Sequence, residues 1–476
     1  MQKTSDKKIL LVLKFHNTTK NIILILLFAI SQNLTASDKV STLERRADSI
    51  MRIMVSEYRK QYKKPFETIN LTDSTIWNTR LYKFCQQLPK GGELHVHSTA
   101  LLAFDDYCSF LASQPNIYIQ IEGDNIGHTL YQTDPYDVPA GYLPARTCLS
   151  GNYLTRDRCL KLYTFNGGSQ PNPWKDFQPI FRRIFNGAFG SPENFEKYME
   201  NAFNIYVENN IQFAEIRIGS TMDRDIFLSM AEMIMKACNN VRKKADFHVS
   251  IIGTGNKGYS LEEVQKRIDN VAYVQQHIKD TLMGKCNVVT GFDLVSNEDC
   301  NNGFEYYYDV LKKCEHEHPD LKLYLHAGET KNTKNDNIMW AIKLGAKRIG
   351  HAFNMYFFPD LYNEIRQNDI CIETCPLSSV KLGYCSDMKS HPSIEYIHSG
   401  LPAAICSDDP TIFEHTALTD DFFAVIAEWN LSLSEVKQLC MNSITYSSLS
   451  KKAKKRIMKD WKKRWAEFVR GIAEQK

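Results

Sequence analysis

Short apolar runs alternate with helical patterns along most of this 476-residue chain. Helical patterns such as Leu261–Ile278, Asn302–His316 and Pro392–His398 lie between many of the runs. Strands that alternate with helices pair in a parallel sheet, and eight such units close into a barrel. The strand candidates are Glu93–Ser98, Ile211–Gly219, Phe247–Gly255, Val288–Val295, Lys322–Glu329, Arg348–Phe353, Cys371–Ser378 and Pro402–Asp408. The pattern therefore predicts an α/β fold, a (β/α)8 TIM barrel over residues 91–476.

Two segments depart from this alternation. The interval between the first two strand candidates is far longer than a crossover helix needs, and residues 112–175 are rich in Asn, Gly, Pro and Tyr. This composition predicts an inserted subdomain or large lid after strand one. Residues 37–90 carry apolar positions at helical spacing, among them Leu43, Ile50 and Met54. They predict a helical N-terminal extension, which either packs on the barrel or forms the arm of a homodimer.

The first 36 residues are typical of a signal peptide. A lysine-bearing stretch leads into the apolar run Ile22–Ile30, and a polar stretch then ends at the small residue Ala36. The run is too short for a comfortable membrane span. A later start codon and an uncleaved anchor are alternatives. The leader predicts a secreted or periplasmic protein with no stable membrane insertion after cleavage.

The charge balance excludes a nucleic-acid binder. The formal net charge is +3, but residues 1–36 hold five lysines and one aspartate. The remaining chain has 53 basic and 54 acidic residues, without the basic excess that nucleic-acid binding requires. The thirteen cysteines are an odd number for an exported chain. Cys148 and Cys159 bracket a polar stretch and could close a small loop, with Cys108 as a competing partner.

Four short strings place metal ligands or proton carriers at the ends of predicted strands one, five, six and eight. The carboxyl ends of barrel strands meet at one face, where the active sites of this fold lie. The four strings therefore predict one common site. They are Glu-Leu-His-Val-His at 93–97, Leu-His-Ala-Gly-Glu at 325–329, Ile-Gly-His at 349–351 and Ser-Asp-Asp-Pro at 407–410.

The histidines suit a zinc ion. His95 and His97 stand at i and i+2 of a strand, so both side chains point to the same side. His326 would be the third nitrogen ligand, and Asp408 an oxygen ligand that completes the shell and leaves one position for water. His351 is either a fourth nitrogen ligand or a base beside that water.

The remaining groups suit proton transfer and substrate contact. Glu329 could act as a proton shuttle if a dry site raised its pKa, and Gly328 lets the backbone turn closely beneath a substrate. Asp409 could hydrogen-bond a substrate or orient a histidine. Two-metal barrels of this kind usually need a lysine at the end of strand four, and residues 291–296 contain none. One metal is therefore expected.

The four strings resemble the signature strings of the adenosine deaminases within the amidohydrolase superfamily. The chain is most similar to the secreted branch, the adenosine deaminase-related growth factors, which share a signal peptide, a helical extension and an insertion after strand one that can carry a disulfide. Further segments resemble that branch, namely Gly291–Val295, Leu323–Thr330, Cys375–Ser378 and Trp461–Trp465.

The resemblance implies one Zn2+ per subunit, held by His95, His97, His326 and Asp408. It also implies that the metal creates hydroxide at neutral pH, which attacks C6 of the purine. In that scheme three further residues act on the substrate: Glu329 protonates N1, His351 positions the hydroxide and stabilises charge, and Asp409 hydrogen-bonds N7.

Two departures from the family pattern concern the substrate. The family often has an aspartate that holds the ribose just after the first string, where this chain has Ser98 and Thr99, and a glycine near purine N3 corresponds to Ser296. The expected substrate contacts are therefore Ser98, Thr99, Ser296, Gly328 and Asp409. The expected activity is deamination of adenosine and 2′-deoxyadenosine to inosine-type products and ammonia. The alternatives are an exported deaminase of another aminopurine or modified nucleoside, and an inactive extracellular signalling or binding protein.

Overall fold

Eight parallel strands form the central sheet of this computed structural model, which describes residues 42–61, 74–165, 167, 172–281 and 288–475. The proposed signal peptide, residues 1–36, lies outside the described residues. In chain order the strands are β1 (Gly91–His97), β2 (Ile117–Gln120), β3 (Thr129–Tyr131), β4 (Tyr142–Pro144), β5 (Ile211–Gly219), β6 (His248–Asn256), β7 (Val289–Val295), β8 (Lys322–Ala327), β9 (Arg348–His351), β10 (Cys371–Thr374) and β11 (Ala403–Ile405).

The central sheet has the order β1-β5-β6-β7-β8-β9-β10-β11. Its first and last strands meet through a parallel bridge between Val96 and Asp408. At this seam the Asp408 amide donates to the His95 carbonyl (2.9 Å), and the His97 amide donates to the Asp408 carbonyl (3.0 Å). The predicted (β/α)8 barrel is confirmed, and all eight predicted strands are present.

Helices cover the outside of the barrel and fill the insertion. α10 shows why they form, because its buried residues Val264, Ile268 and Val271 recur at helical spacing and the helix packs on β6 and β7. The helices are α1 (42–61), α2 (Ser74–Trp77), α3 (Arg80–Gln87), α4 (Phe104–Ser113), α5 (Ala145–Thr147), α6 (Arg156–Tyr163), α7 (Trp174–Phe189), α8 (Pro192–Glu208), α9 (Arg224–Arg242), α10 (Leu261–Thr281), α11 (Phe304–Glu317), α12 (Asn337–Lys343), α13 (Leu361–Gln367), α14 (Pro376–Lys381), α15 (Ser393–His398), α16 (Pro410–Phe413), α17 (Thr419–Glu428), α18 (Leu433–Thr445) and α19 (Lys451–Ala473).

The interval between β1 and β5 contains its own small antiparallel sheet, in the order β3-β2-β4. The sheet lies within residues 112–175, and α7 and α8 then lead back to the barrel. Cys108, Cys148 and Cys159 are free thiols, so the structure does not contain the disulfide considered for them. The Cys148 thiol is directed instead at the Leu143 carbonyl (3.5 Å).

The N-terminal helix α1 packs on the C-terminal part of the same chain. Its Asp48 carboxylate accepts from the Leu433 amide (2.7 Å), and the Arg59 guanidinium donates to the Ala427 carbonyl (2.8 Å). Leu43 and Ile53 of α1 remain exposed. Packing on the barrel is therefore observed, whereas the homodimer arm stays a prediction. Within the described parts of the chain, every helix is too short or too polar to cross a bilayer.

Candidate metal centre and active site

Four ligand-type side chains converge where the barrel closes. His95 and His97 come from β1, His326 from β8, and Asp408 follows β11. The His97 Nε2 atom lies 3.3 Å from His326 Nε2 and 3.3 Å from Asp408 Oδ1, and His95 Nε2 lies 3.4 Å from the same Oδ1. One ligand atom from each residue falls within 4.8 Å of all the others. The structure thus brings together the four residues that the sequence assigns to the metal.

These separations fit ligand atoms that share one metal ion. Nitrogen and oxygen ligands bound at about 2.0–2.1 Å in a tetrahedron lie about 3.3–3.4 Å from one another. The separations around His97 and His95 fall in this interval. The His95 Nε2 atom is buried and has no hydrogen-bond partner among the described residues, as expected for an atom that serves as a ligand. The donor set of three imidazoles and one carboxylate suits zinc.

Two carboxylates fix the orientation of the histidine rings. His95 Nδ1 donates to Glu373 Oε2 (2.8 Å), and His326 Nδ1 donates to Asp293 Oδ2 (2.6 Å). Because each carboxylate accepts a hydrogen bond from the Nδ1–H group, the Nε2 lone pairs face the proposed metal position. Burial lowers the pKa of His326 to about 3, and burial likewise lowers the pKa of His97. The imidazoles of His326 and His97 are therefore neutral, which is the form that binds metal.

The carboxylates of Glu373 and Asp293 belong to a buried ion-pair network. Arg217 donates to Asp293 (2.8 Å) and to Glu373 (2.6 Å), while Arg348 pairs with Glu373 and with Glu215 (2.7 Å). All five side chains are inaccessible to solvent. Burial by itself would raise the pKa of Glu373, but the two arginines hold it well below its ordinary value. The network therefore keeps an ionised carboxylate behind His95 in the dry interior of the barrel.

The sequence interpretation assigned no role to this network. Its signal is a charged residue inside an otherwise apolar strand, as with Arg217 in β5, Asp293 in β7 and Glu373 in β10. A charge at such a position needs a partner, because an unpaired buried charge is very costly. The identity of each partner cannot be read from the strand, since it comes from another strand of the barrel.

We expect Glu373→Gln to weaken metal binding by about 10–100-fold, because the amide no longer fixes His95 as strongly. Competition with a chelator of known affinity measures this change. Glu364→Gln is the matched control, since Glu364 is exposed on α13. Metal affinity equal to that of the control, in a variant with native circular dichroism, would contradict the positioning role.

Three further groups stand beside the metal ligands. Glu329 is buried, and its Oε2 atom lies 3.8 Å from His351 Nε2. Burial first, and then the charges of Asp408 and Glu298, raise the pKa of Glu329 well above its ordinary value. Burial also lowers the pKa of His351 well below its usual range and raises that of Asp409. The site therefore combines two carboxyl groups whose protonated forms are favoured with a neutral imidazole.

Unpartnered polar atoms mark where a substrate can bind. Both ring nitrogens of His351 and the Oδ1 atom of Asp409 are buried without a hydrogen-bond partner among the described residues. Buried polar atoms are normally paired, so unpaired ones in a cavity point to an absent ligand. His351 and Asp409 are thus available to a bound molecule.

Glu298 holds the turn that carries Glu329. It accepts from the backbone amides of Gly328 (3.1 Å) and Glu329 (3.4 Å). Lys257 pairs with Glu298 (2.9 Å) and also donates to the His326 carbonyl (2.8 Å), so the same pair supports a metal ligand and the acid. The sequence interpretation missed Glu298 and Lys257, because neither lies in one of the four strings.

Strained backbone surrounds the site. Ser296 has φ 100°, His351 φ 63° and Asp408 φ 61°, values that L-residues rarely adopt. Gly328 has φ 78°, and a Cβ atom there would lie 2.5 Å from Asn354 Oδ1, so only glycine fits. Strain of this kind costs about 1–3 kcal/mol per residue and clusters at functional sites.

A cavity of about 700 Å³ opens above the metal ligands. The predicted substrate residues Ser98, Thr99 and Ser296 line it. Gly328 and His351 are not among the described residues that line it. Mostly apolar side chains from α7, α8 and α9 line another part of the cavity, together with the polar Gln178 and Ser229. Five polar residues form the base, namely His97, His326, Glu329, Asp408 and Asp409.

Comparisons with known proteins agree with this geometry. A family model described as adenosine deaminase matches residues 160–464. Adenosine deaminase 2 of Dictyostelium discoideum is 30% identical over 414 residues, covering 82% of this chain and 74% of that protein. Human adenosine deaminase 2 is 28% identical over 436 residues, covering 84% and 82%.

Among solved structures, an amidohydrolase from Burkholderia ambifaria with bound zinc has a TM-score of 0.62 at 14% sequence identity. The match covers 83% of this chain and 96% of that one. At this identity the likeness concerns the fold alone.

Proposed function

Because the chain belongs to the adenosine deaminase family, we propose that it is a zinc-dependent hydrolase that deaminates adenosine and 2′-deoxyadenosine. The products are inosine or 2′-deoxyinosine, and ammonia. The observation that carries the proposal is the close spacing of the four ligand atoms around His97 and His95, with Glu329, whose pKa is raised, beside it at the base of a cavity.

The reaction needs a nucleophile at purine C6 and an acid at the neighbouring N1. Zinc, when bound, supplies hydroxide at neutral pH by lowering the pKa of water. Glu329 donates its proton to N1, which draws electrons from C6 and makes that carbon a better electrophile. The oxygen of the water adds to C6, and one proton of that water passes through His351 to the exocyclic nitrogen. The bond from C6 to this nitrogen then breaks, ammonia leaves, and the second proton of the water returns to Glu329 as the C6 carbonyl forms.

Asp409 orients the substrate, and His351 acts on the attacking water. Burial and then the charge of Asp408 raise the pKa of Asp409 well above its ordinary value. In its protonated form Asp409 can donate a hydrogen bond to purine N7, which is an acceptor. His351 is neutral, so it can accept a proton from the attacking water or orient it. These assignments are supported by the unpartnered atoms on both side chains.

We also propose that the protein is exported and acts on a free purine nucleoside, not on nucleic acid. The apolar leader at 22–30 supports export, and the nearly equal numbers of acidic and basic residues in the rest of the chain support a small-molecule substrate. An inactive binding protein is disfavoured, because a scaffold without activity would not need an acid, a base and four metal ligands in one cavity.

The direct test is ammonia release by the purified protein with zinc. One ammonia is expected for each adenosine consumed, together with the change in ultraviolet absorbance that accompanies loss of the amino group. Chelator-treated protein serves as the control, and added zinc should restore its activity. If adenosine, 2′-deoxyadenosine and adenine all remain unchanged with zinc-loaded protein, the proposed function is wrong.

A further inference from the structure

One face of α7 forms an aromatic wall along the cavity. Trp174, Phe177, Phe181, Phe185 and Phe189 recur every three or four residues, and all five line the cavity. Their rings contact one another along the helix, with centroids 5.0 Å apart for Phe177 and Phe181 and 5.0 Å for Phe185 and Phe189. The sequence interpretation ended the insertion at residue 175 and did not single out this helix.

A second apolar surface on α9 lines the same cavity. Ile226, Met230 and Met233 stand at helical spacing. Phe185 and Ile226 are 49% and 53% exposed, whereas Asp408 at the base is 3% exposed. The cavity is therefore polar and dry at its base and mostly apolar at its mouth, where Gln178, Thr221 and Ser229 are polar exceptions. Two methionines in this wall provide polarisable surface that adapts to the shape of a ligand.

The mouth offers no counter-charge for an anion. Among the described residues that line the cavity, Arg217 alone carries a permanent positive charge. It is fully buried and already paired with Asp293 and Glu373. Burial of an unpaired phosphate charge against the apolar side chains of this wall is unfavourable. The wall therefore disfavours nucleotides.

The chemistry of the ring decides which part of the substrate meets the wall. The amino group on C6 must face the metal ligands and Glu329 for deamination to occur. N9 lies at the far end of the purine bicycle, so the sugar on N9 points towards the mouth. Ser98, Thr99 and Ser296 line the cavity with hydroxyl groups that can bond the sugar. The apolar side chains of α7 and α9 are then the surface that is left for a group on the 5′ carbon.

We propose that this cavity selects adenine nucleosides whose 5′ carbon carries an uncharged apolar group, such as an alkylthio substituent. The inference rests on the proposed function and narrows its substrate class. Sulfur packs favourably against the edges of aromatic rings, and a 5′-hydroxyl placed against phenylalanine and methionine side chains would lose its hydrogen bonds to water.

The test compares kcat/KM for adenosine, 5′-deoxyadenosine, 5′-deoxy-5′-methylthioadenosine and AMP with zinc-loaded protein. We expect the methylthio compound to exceed adenosine by about 10-fold or more, as one extra apolar group does in a fitted pocket. 5′-Deoxyadenosine should fall between them, which separates the loss of the hydroxyl from the gain of the thioether. Adenosine or AMP turned over as efficiently as the methylthio compound would overturn the inference.

A variant pair ties the preference to the wall. Ile226→Asp places a charge on the α9 surface at an exposed position, and it should lower kcat/KM for the methylthio compound more than kcat/KM for adenosine, so that the preference is lost. Met222→Asp is the matched control, because Met222 is similarly exposed (47%) and is not among the described residues that line the cavity. Equal substrate preference in the two variants would contradict the role of the wall.

A binding measurement separates this inference from the proposed function. Calorimetry with zinc-loaded Glu329→Gln protein compares the affinities for adenosine and the methylthio compound without turnover. Tighter binding of the methylthio compound supports the inference, even if the wild-type protein releases no ammonia and the proposed function fails. Deamination of adenosine without any preference in binding or turnover overturns the inference alone.

Discussion

Glu329→Gln is expected to lower kcat for adenosine by about 10²–10⁴-fold, the usual contribution of a positioned general acid. The glutamine can still donate a hydrogen bond to N1, but it cannot transfer a proton. Zinc content and thermal stability should stay close to those of the wild type, because Glu329 lies outside the group of four ligand atoms. Steady-state ammonia release and metal analysis of the same preparation measure both quantities.

Glu305→Gln is the matched control, since Glu305 is exposed in the first turn of α11. It should have wild-type kcat. A Glu329→Gln protein with full activity would show that N1 receives its proton from another group, and the roles given above would then be wrong.

The pH dependence of kcat follows from the protonation of Glu329. Burial, Asp408 and Glu298 raise its pKa well above the ordinary value. A general acid acts while protonated, so its contribution is present below the pKa in the folded protein and is lost as pH rises through that pKa. We expect kcat to fall on the alkaline side, and we expect the residual activity of Glu329→Gln to lack this decrease.

The second large effect is expected for the metal ligand His326. His326→Ala removes one of three nitrogen ligands and leaves the Asp293 carboxylate without its imidazole partner. Metal content after dialysis should fall from about one ion per chain to near zero, and ammonia release should fall to background. The melting temperature should also decrease, because a ligand that binds only the folded state stabilises it.

His316→Ala is the control for this change, because His316 is exposed near the end of α11. It should keep both metal and activity. Retention of one metal per chain and normal kcat in His326→Ala would exclude the proposed centre. A chelator should mimic the variant in wild-type protein, with recovery on addition of zinc.

The barrel could be predicted because each of its strands is a short apolar run bounded by helical patterns. The convergence of His95, His97, His326 and Asp408 could also be predicted, since parallel strands bring their carboxyl ends to one face. In both cases the information lies within a few residues of each element. These four residues could be assigned to the metal without knowing how distant side chains pair.

Features that depend on distant partners could not be predicted. The Glu373 carboxylate matters because it meets His95 and two arginines from other strands. The local sequence shows only a charge inside an apolar strand and does not identify these partners. The aromatic row of α7 was equally uninformative, because such a stripe usually faces a core. The spacing of Cys148 and Cys159 suited a disulfide, yet both thiols are directed at backbone carbonyls.

Three of the four proposed metal ligands lie at the first and last barrel strands, which ties occupancy of the site to completion of the fold. His95 and His97 precede nearly all of the barrel in the chain, and Asp408 follows nearly all of it, so their meeting is the last and longest loop closure. A nascent chain can assemble this donor set only after β11 has reached β1. Amide hydrogen exchange at Asp408 and His97 should therefore slow on metal loading more than exchange at the β6–β7 pairing on the far side of the barrel.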